Sequence, residues 1–311
     1  MKLSLCIATY NEEKNIHYPL DSAYHLADEV IIVDGGSTDK TVETAKSYGG
    51  KVKVFIEKNP AMFHINKQKA IDRASGEWIL QLDADETLSD ELKKEIKELF
   101  NYELRITDNQ KKAMGVTKGR VPDSAQRFFQ PAAGREHWRE GISEQAPSPP
   151  FAFWIPRKNW FLSRFLMKGG QYPDYTIRLY KNGQAKFPCR DVHENVKVSG
   201  EVGYLKNPIL HYADPTFSRY LMRWHRYNNL EAQLLVKSIK QSNNETMKQL
   251  SLLFQYLFWK PISTFFMIYI RHKGFLDGWP GFVFAFFSSI RFWEIYIKWR
   301  TLRQSQITND K

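Results

Sequence analysis

Cysteine is nearly absent: the 311 residues include only Cys6 and Cys189. Two thiols, one in an apolar run and one in a loop-like stretch, supply neither a disulfide framework nor a zinc set. Long apolar runs are missing too. In the aromatic-rich C-terminal part the longest stretch without a charge is 13 residues, Gly278 to Ile290, whereas a spanning helix needs about 20. No leader-like segment precedes the first strand at Leu3, so the expectation is a chain that stays where it is made, in the cytosol. Acidic residues are scarce at one end only. Residues 215–311 carry fourteen Lys and Arg against five Asp and Glu, and so hold +9 of the formal net charge of +11.

The first hundred residues alternate between short apolar runs and helical patterns. Leu3–Thr9 is an apolar run that stops at a polar turn, and a helical pattern then continues through about Ala27. Val30–Val33 repeats the arrangement, with Asp34 at the strand end and Gly35-Gly36 allowing a sharp turn. Lys51–Ile56 reads as a third strand. Strands alternating with helices predict a mostly parallel sheet with its ligand site at the carboxyl edge of the strands.

The most informative stretch is Trp78-Ile-Leu-Gln-Leu-Asp-Ala-Asp-Glu86, an apolar run ending in two carboxylates, Asp83 and Asp85. Acids at a strand end are how an open sheet presents oxygen ligands to a divalent cation, here a Mg2+ or Mn2+ ion on a diphosphate. The same residues also read as an acidic helix start, with Thr87 or Ser89 capping a helix through Leu99.

Four motifs in order, Ala8-Thr-Tyr-Asn-Glu-Glu13, Val33-Asp-Gly-Gly-Ser-Thr-Asp39, Asn66–Gly76 and Asp83-Ala-Asp85, resemble the inverting nucleotide-sugar transferases of glycosyltransferase family 2, which have the GT-A fold. Gly169–Tyr180, Val192-His-Glu-Asn195, Leu210-His-Tyr212 and Gly274–Gly281 look like a narrower branch related to the lipopolysaccharide-core β-1,4-glucosyltransferases. The likeness covers most of residues 1–300 but not about 105–155.

The resemblance implies site roles. Asp85 is the first choice of metal ligand, with Asp83 nearer the ribose or sharing the cation. Glu12 and Asp34 fall to the ribose and base, and Thr9 and Tyr10 line the nucleotide pocket. His211 is similar to a later histidine that completes the metal shell in some relatives. Inversion needs a carboxylate to take the acceptor hydroxyl proton. Asp191-Val-His-Glu194 offers candidates, of which Glu194 matches the family's base and Asp191 is the alternative. His193 either holds acceptor or cation, or is a structural group.

Three basic residues have readings from chemistry alone. Lys67 and Lys69 lie between the third strand and Asp83; a lysine there meets a diphosphate as a point charge or sits on a solvated helix face. Of the two, Lys69 is carried as the candidate. Arg178 either steadies a phosphate or pairs with Asp174 four residues back.

The expected organisation is a GT-A domain over 1–214 and a helical, membrane-associating region over 215–311, divided where Asp214-Pro215 interrupts the pattern. That C-terminal region holds 21 of the 45 aromatic residues. Its segments read as interfacial helices with Lys and Arg on anionic lipid, placing the protein peripherally on the inner face of the cell membrane. The alternative is that the aromatic stripes pack on the catalytic domain or form a dimer, so a homo-oligomer stays open. No nucleic-acid module accompanies the basic charge, which argues against a nucleic-acid partner. Gly115–Pro150 is either a surface insertion or a flap over the acceptor.

The expected activity is therefore transfer of a sugar, with inversion, from a nucleotide-diphosphate sugar, UDP-linked, to an envelope glycan or glycolipid. A sugar nucleotidyltransferase would open with a glycine-rich, Arg- and Lys-containing loop in place of Ala8-Thr-Tyr-Asn11. An inactive GT-A scaffold on the membrane need not keep Asp83, Asp85 and Glu194. A processive synthase is disfavoured by the absence of a Gln-x-x-Arg-Trp motif.

Overall fold

The computed structural model describes residues 2–60, 62–112, 150–189, 196–240 and 245–309. The chain divides into two compact units, Met1–Arg157 with Asp174–His211, and Lys158–Pro173 with Tyr212–Lys311. The helical unit thus takes in a short segment from within the first 214 residues.

The first unit is built on a mixed sheet. Strands β1 (Leu3–Thr9), β2 (Glu29–Asp34), β3 (Val52–Ile56) and β4 (Trp78–Asp83) are mutually parallel in the order β3-β2-β1-β4. Beyond them lie β5 (Glu86–Leu88), β6 (Ala152–Phe161), β8 (Asp174–Lys181) and β12 (Ile209–Asp214), completing the order β3-β2-β1-β4-β8-β6-β12-β5. Here the pairing changes to antiparallel, in β4 with β8, β8 with β6 and β12 with β5. The short strands β7 (Arg164–Phe165) and β11 (Val202–Tyr204) flank β6, and β9 (Ala185–Lys186) pairs with β10 (Lys197–Val198).

The apolar runs are continuous because the sheet is buried on both faces. Along β1, Leu3, Leu5 and Ile7 join one core layer, while Cys6 points to the other. The first layer is closed by Leu20 and Ala23 of α1 (His17–Ala23) and by Leu92, Ile96 and Leu99 of α4 (Asp90–Lys112), a helical i, i+4, i+7 stripe. The second is closed by Ala70 and Ile71 of α3 (His64–Asp72). Helix α2 (Thr41–Lys46) follows β2.

The stretch around Asp83 forms both a strand and, after it, a capped helix start. The run 78–83 is a strand with acids at its end, and Ser89 Oγ accepts the Leu92 N–H at 3.2 Å as the cap of α4.

The second unit is helical, with α5 (Phe217–Lys240), α6 (Glu245–Phe254), α7 (Lys260–Phe265) and α8 (Gly278–Asn309). Two π-helical turns, Gln255–Trp259 and Phe266–Arg271, make one continuous rod of α6, α7 and their neighbours. The Asp277 carboxylate accepts the backbone N–H groups of Met167 and Lys168 at 3.1 and 2.7 Å, and the His272 carbonyl accepts that of Gly169 at 2.9 Å. Glycine is required at 281, where a Cβ would stand 2.1 Å from the Gly274 carbonyl oxygen. Gly169, the first residue of the first narrower-branch motif, and the last motif, Gly274–Gly281, therefore meet at one structural junction. Among the described residues no helix is long and apolar enough to cross a membrane.

Candidate active site

The carboxyl ends of β1 and β2 are stitched together. Their register sets Thr9 opposite Asp34, and the fully buried Asp34 carboxylate accepts four hydrogen bonds. Thr9 Oγ1 and Ser37 Oγ donate to one oxygen at 2.8 and 2.6 Å, and the Gly36 and Ser37 N–H groups to the other at 3.0 and 2.7 Å. Gly36 sits at φ +81°, and Asn11 at φ 54°, a conformation that asparagine tolerates. Asn11 Oδ1 accepts the Thr38 N–H at 2.8 Å. Glu12 donates its backbone N–H to Thr41 Oγ1 at 2.7 Å and accepts Asn15 Nδ2 at 2.6 Å. Tyr10, between these anchored residues, is 46% exposed.

A second cluster surrounds Asp83. Lys67 Nζ lies 2.5 Å from one carboxylate oxygen and an Arg178 nitrogen 2.6 Å from the other. Gln81 donates to Asp83 at 3.1 Å and accepts from Arg178 in turn. Arg178 also reaches Glu86 at 2.8 Å, and Arg157 reaches Glu86 at 3.1 Å and Asp174 at 2.7 Å. The second Glu86 oxygen accepts the Asp83 N–H at 3.0 Å, closing the Asp-Ala-Asp-Glu turn on itself. Burial alone would raise the Asp83 carboxyl, but Arg178 and Lys67 outweigh it and hold the group well below the usual carboxylate range. Burial lowers the Lys67 ammonium, with Asp83 opposing.

Asp85 stands one residue beyond this cluster. His211 Nε2 lies 3.5 Å from Asp85 Oδ1, because the β12–β5 pairing sets His211 opposite Glu86. Among the described residues no group of three or more His, Cys, Asp or Glu is arranged to hold a metal ion. Asp85 and His211 offer an oxygen and a nitrogen donor. A Mg2+-type ion takes one or two carboxylates and completes its shell with water and substrate phosphates, so the Asp85 carboxylate fits such an ion, with the His211 nitrogen beside it.

Some expected residues come together and others do not. Asp83, Arg178, Asp85 and His211 converge at the end of β4, and Thr9, Glu12 and Asp34 lie together at the β1 and β2 ends. The local pairing suggested for Arg178 is corrected: Asp174 pairs with Arg157, and Arg178 spans Gln81, Asp83 and Glu86, because both arginines lie on strands that flank the acids rather than on a helix. Of the two lysines it is Lys67 that reaches the Asp83 cluster, while Lys69 pairs with Glu57 at 2.8 Å. Asp191, His193 and Glu194, and the loop from 115 to 149, lie outside the described residues. Sequence reasoning missed Gln81, Glu86 and Arg157. A polar residue inside the apolar Trp-Ile-Leu-Gln-Leu run was the signal for Gln81, and a third acid after Asp85 was the signal for Glu86.

Residues 4–139 match the model of Glycosyl transferase family 2. Over 306 residues the chain is 24% identical to the lipopolysaccharide core biosynthesis glycosyltransferase LpsC of Rhizobium meliloti, covering 94% of this chain and 93% of LpsC. It is 42% identical over 100 residues to an uncharacterized glycosyltransferase of Rickettsia bellii, covering 32% of this chain and 33% of that protein. The match thus spans about a third of the length of the rickettsial relative. S. aureus TarS 1–349 in complex with UDP-GlcNAc aligns with a TM-score of 0.42 at 15% identity, over 98% of this chain and 92% of TarS. The matched segment carries the cluster at the β1 and β2 ends together with Lys67, Gln81, Asp83, Asp85 and Glu86, while Arg157, Asp174, Arg178 and His211 come from beyond residue 139.

Proposed function

We propose that the protein is an inverting glycosyltransferase that moves a sugar from a UDP-linked donor to a cell-envelope glycan or glycolipid. The observation that carries this reading is the placement of Asp85 beside His211 at the end of β4, in a family 2 domain and next to the Asp83–Arg178–Lys67 cluster. The likeness to LpsC supports an envelope acceptor.

Asp85 and His211 would hold a Mg2+ or Mn2+ ion, which when bound offsets the negative charge that grows on the leaving nucleotide diphosphate. Asp83 and Arg178 keep the Asp85 turn in place, and Asp83 is the candidate ribose contact. Tyr10 and Thr9 line the nucleotide pocket, with Glu12 and Asp34 on the ribose and base side; Asp34 acts by fixing the loop. Lys69 is left as a candidate for the outer phosphate. Glu194 takes the proton of the acceptor hydroxyl as its oxygen attacks the anomeric carbon and the bond to the β-phosphate oxygen breaks; Asp191 is the alternative base. The basic, aromatic C-terminal region holds the enzyme on the anionic inner face of the cell membrane, within reach of a lipid-linked acceptor.

A panel of nucleotide sugars, assayed for donor hydrolysis and transfer with and without Mn2+, tests this. Cation-dependent release of UDP from one donor is expected. A chain that cleaves none of them but joins a sugar 1-phosphate to a nucleoside triphosphate would be a nucleotidyltransferase instead.

A further inference from the structure

Large apolar side chains recur every fourth residue along the rod that runs through the two π turns. Leu250, Phe254, Phe258, Ile262, Phe266 and Ile270 are each 52–65% exposed. In an unbroken α-helix this spacing would not make a stripe. With about 3.6 residues per turn, a residue four positions on overshoots by about 40°, and five such steps carry the row through about 200°, to the opposite side.

The π turns change that geometry. The Lys260 N–H bonds to the Gln255 carbonyl, and the His272 N–H to the Met267 carbonyl at 2.9 Å, each five residues back. An i→i+5 turn holds more than four residues, so within it a residue four positions on falls short rather than overshooting. Alternating α and π turns therefore cancel the drift and keep the six side chains on one line. The opposite side of the rod is occupied. Leu252 and Tyr256 pack with Ile295, Tyr296 and Trp299 of α8, and the Leu257 carbonyl accepts Trp293 Nε1 at 3.0 Å.

We infer that this line of six side chains is a membrane-entering edge, which lies along an anionic lipid surface with its apolar groups among the headgroups and upper acyl chains. The inference refines the surface attachment proposed above and does not depend on the transferase chemistry. Charge selects the occupant. From residue 246 to 276 the chain has no Asp or Glu but has Lys248, Lys260, Arg271 and Lys273. Exposed aromatic groups flanked only by cations suit an anionic interface. A second copy of the chain fits less well, because a twofold contact sets the same patch against itself and brings like charges together. The rod from 250 to 270 is about 30 Å long at about 1.5 Å per residue, and no described helix spans a membrane, so it would lie in the interface plane.

The test is flotation of the full-length protein with phosphatidylcholine vesicles, with and without phosphatidylglycerol, at low and high salt. Wild type is expected to float with the anionic vesicles and to keep a salt-resistant remainder. Trp259, 63% exposed beside the stripe, should shift to the blue and be quenched by brominated lipid. The triple variant Phe258→Gln, Ile262→Gln, Phe266→Gln, which removes three apolar side chains from the lipid contact, should partition about a hundredfold less, with unchanged melting temperature and donor hydrolysis. Wild type that stays unbound at low salt, or a folded triple variant that floats like wild type, overturns the inference. So does a wild-type oligomer that the triple variant converts to monomer with lipid binding unchanged, since the occupant is then another copy. Because lipid binding is read without turnover, failure of the transferase proposal would leave these outcomes as they are.

Discussion

Arg178 on β8 and Asp83 at the end of β4 meet at 2.6 Å across 95 residues of chain, with the arginine almost wholly buried. The contact fixes the strand that carries the acids to the antiparallel strand beside it, and the same guanidinium holds Glu86 on the far side of the Asp85 turn.

Breaking that pair should be costly. Arg178→Met leaves Asp83 and Glu86 with less compensation in a buried setting, for which about 3–5 kcal/mol is typical. The expected result in urea denaturation is a large drop in midpoint, partly recovered when Asp83→Asn is added. A variant as stable as wild type would mean that water or Lys67 replaces the arginine without loss.

Asp85→Ala should behave in the opposite way. Asp85 faces His211 at 3.5 Å and is not one of the carboxylates that Arg157 and Arg178 bridge. The variant should keep its melting temperature but lose transfer and cation-dependent nucleotide binding, measured by calorimetry with and without Mn2+. Normal turnover of the variant in chelator would rule out a metal role for this residue.

For Glu194→Gln, donor affinity should persist while turnover falls by about 10²–10⁴, the usual cost of losing a general base. Weakened donor binding with near-normal turnover would make Glu194 a nucleotide contact and shift attention to Asp191.

Acid should weaken the fold through Glu29. Burial works to raise its carboxyl, yet hydrogen bonds from Ser4, Ser75 and Lys53 draw it from the ordinary 4.5 down to about 2. The folded value lies below the unfolded one, so this stabilisation is complete above about pH 4.5 and disappears as pH falls towards about 2. The stability difference between wild type and Glu29→Gln should shrink over that window. A difference that stays constant with pH would assign the loss to packing.

Strands β1, β2 and β4 were legible because each is an apolar run buried on both faces, and α4 because Leu92, Ile96 and Leu99 repeat at helical spacing behind a serine cap. The acids at the end of β4 were legible for the same reason: two carboxylates cannot continue a buried run. Partnerships were not. Gln81 meets Arg178 across 97 residues and Glu86 meets Arg157 across 71, and nothing local links them. Lys67 and Lys69 show the limit at short range. Two positions apart on a helix they face different ways, and spacing does not say which one faces the acids. The narrower-branch motifs at Gly169 and Gly274 were recognisable as patterns, but their shared task, one backbone junction around Asp277, exists only in three dimensions.

The π turns decide where the 250–270 segment can change length. Each one is an α-turn with a surplus residue, so removing a single residue between Gln255 and Trp259 would restore an ordinary helix, and the seven steps then left from Phe254 to Ile262 make about 700°, close to two full turns. Ile262, Phe266 and Ile270 would stay nearly in line with Phe254, whereas the same deletion within the α-helical part, Lys260–Phe265, would rotate everything downstream by about 100°. A one-residue loss is therefore absorbed at a π turn and not between the two: the direction in which the aromatic groups point depends on where a residue is lost as well as on which residues remain.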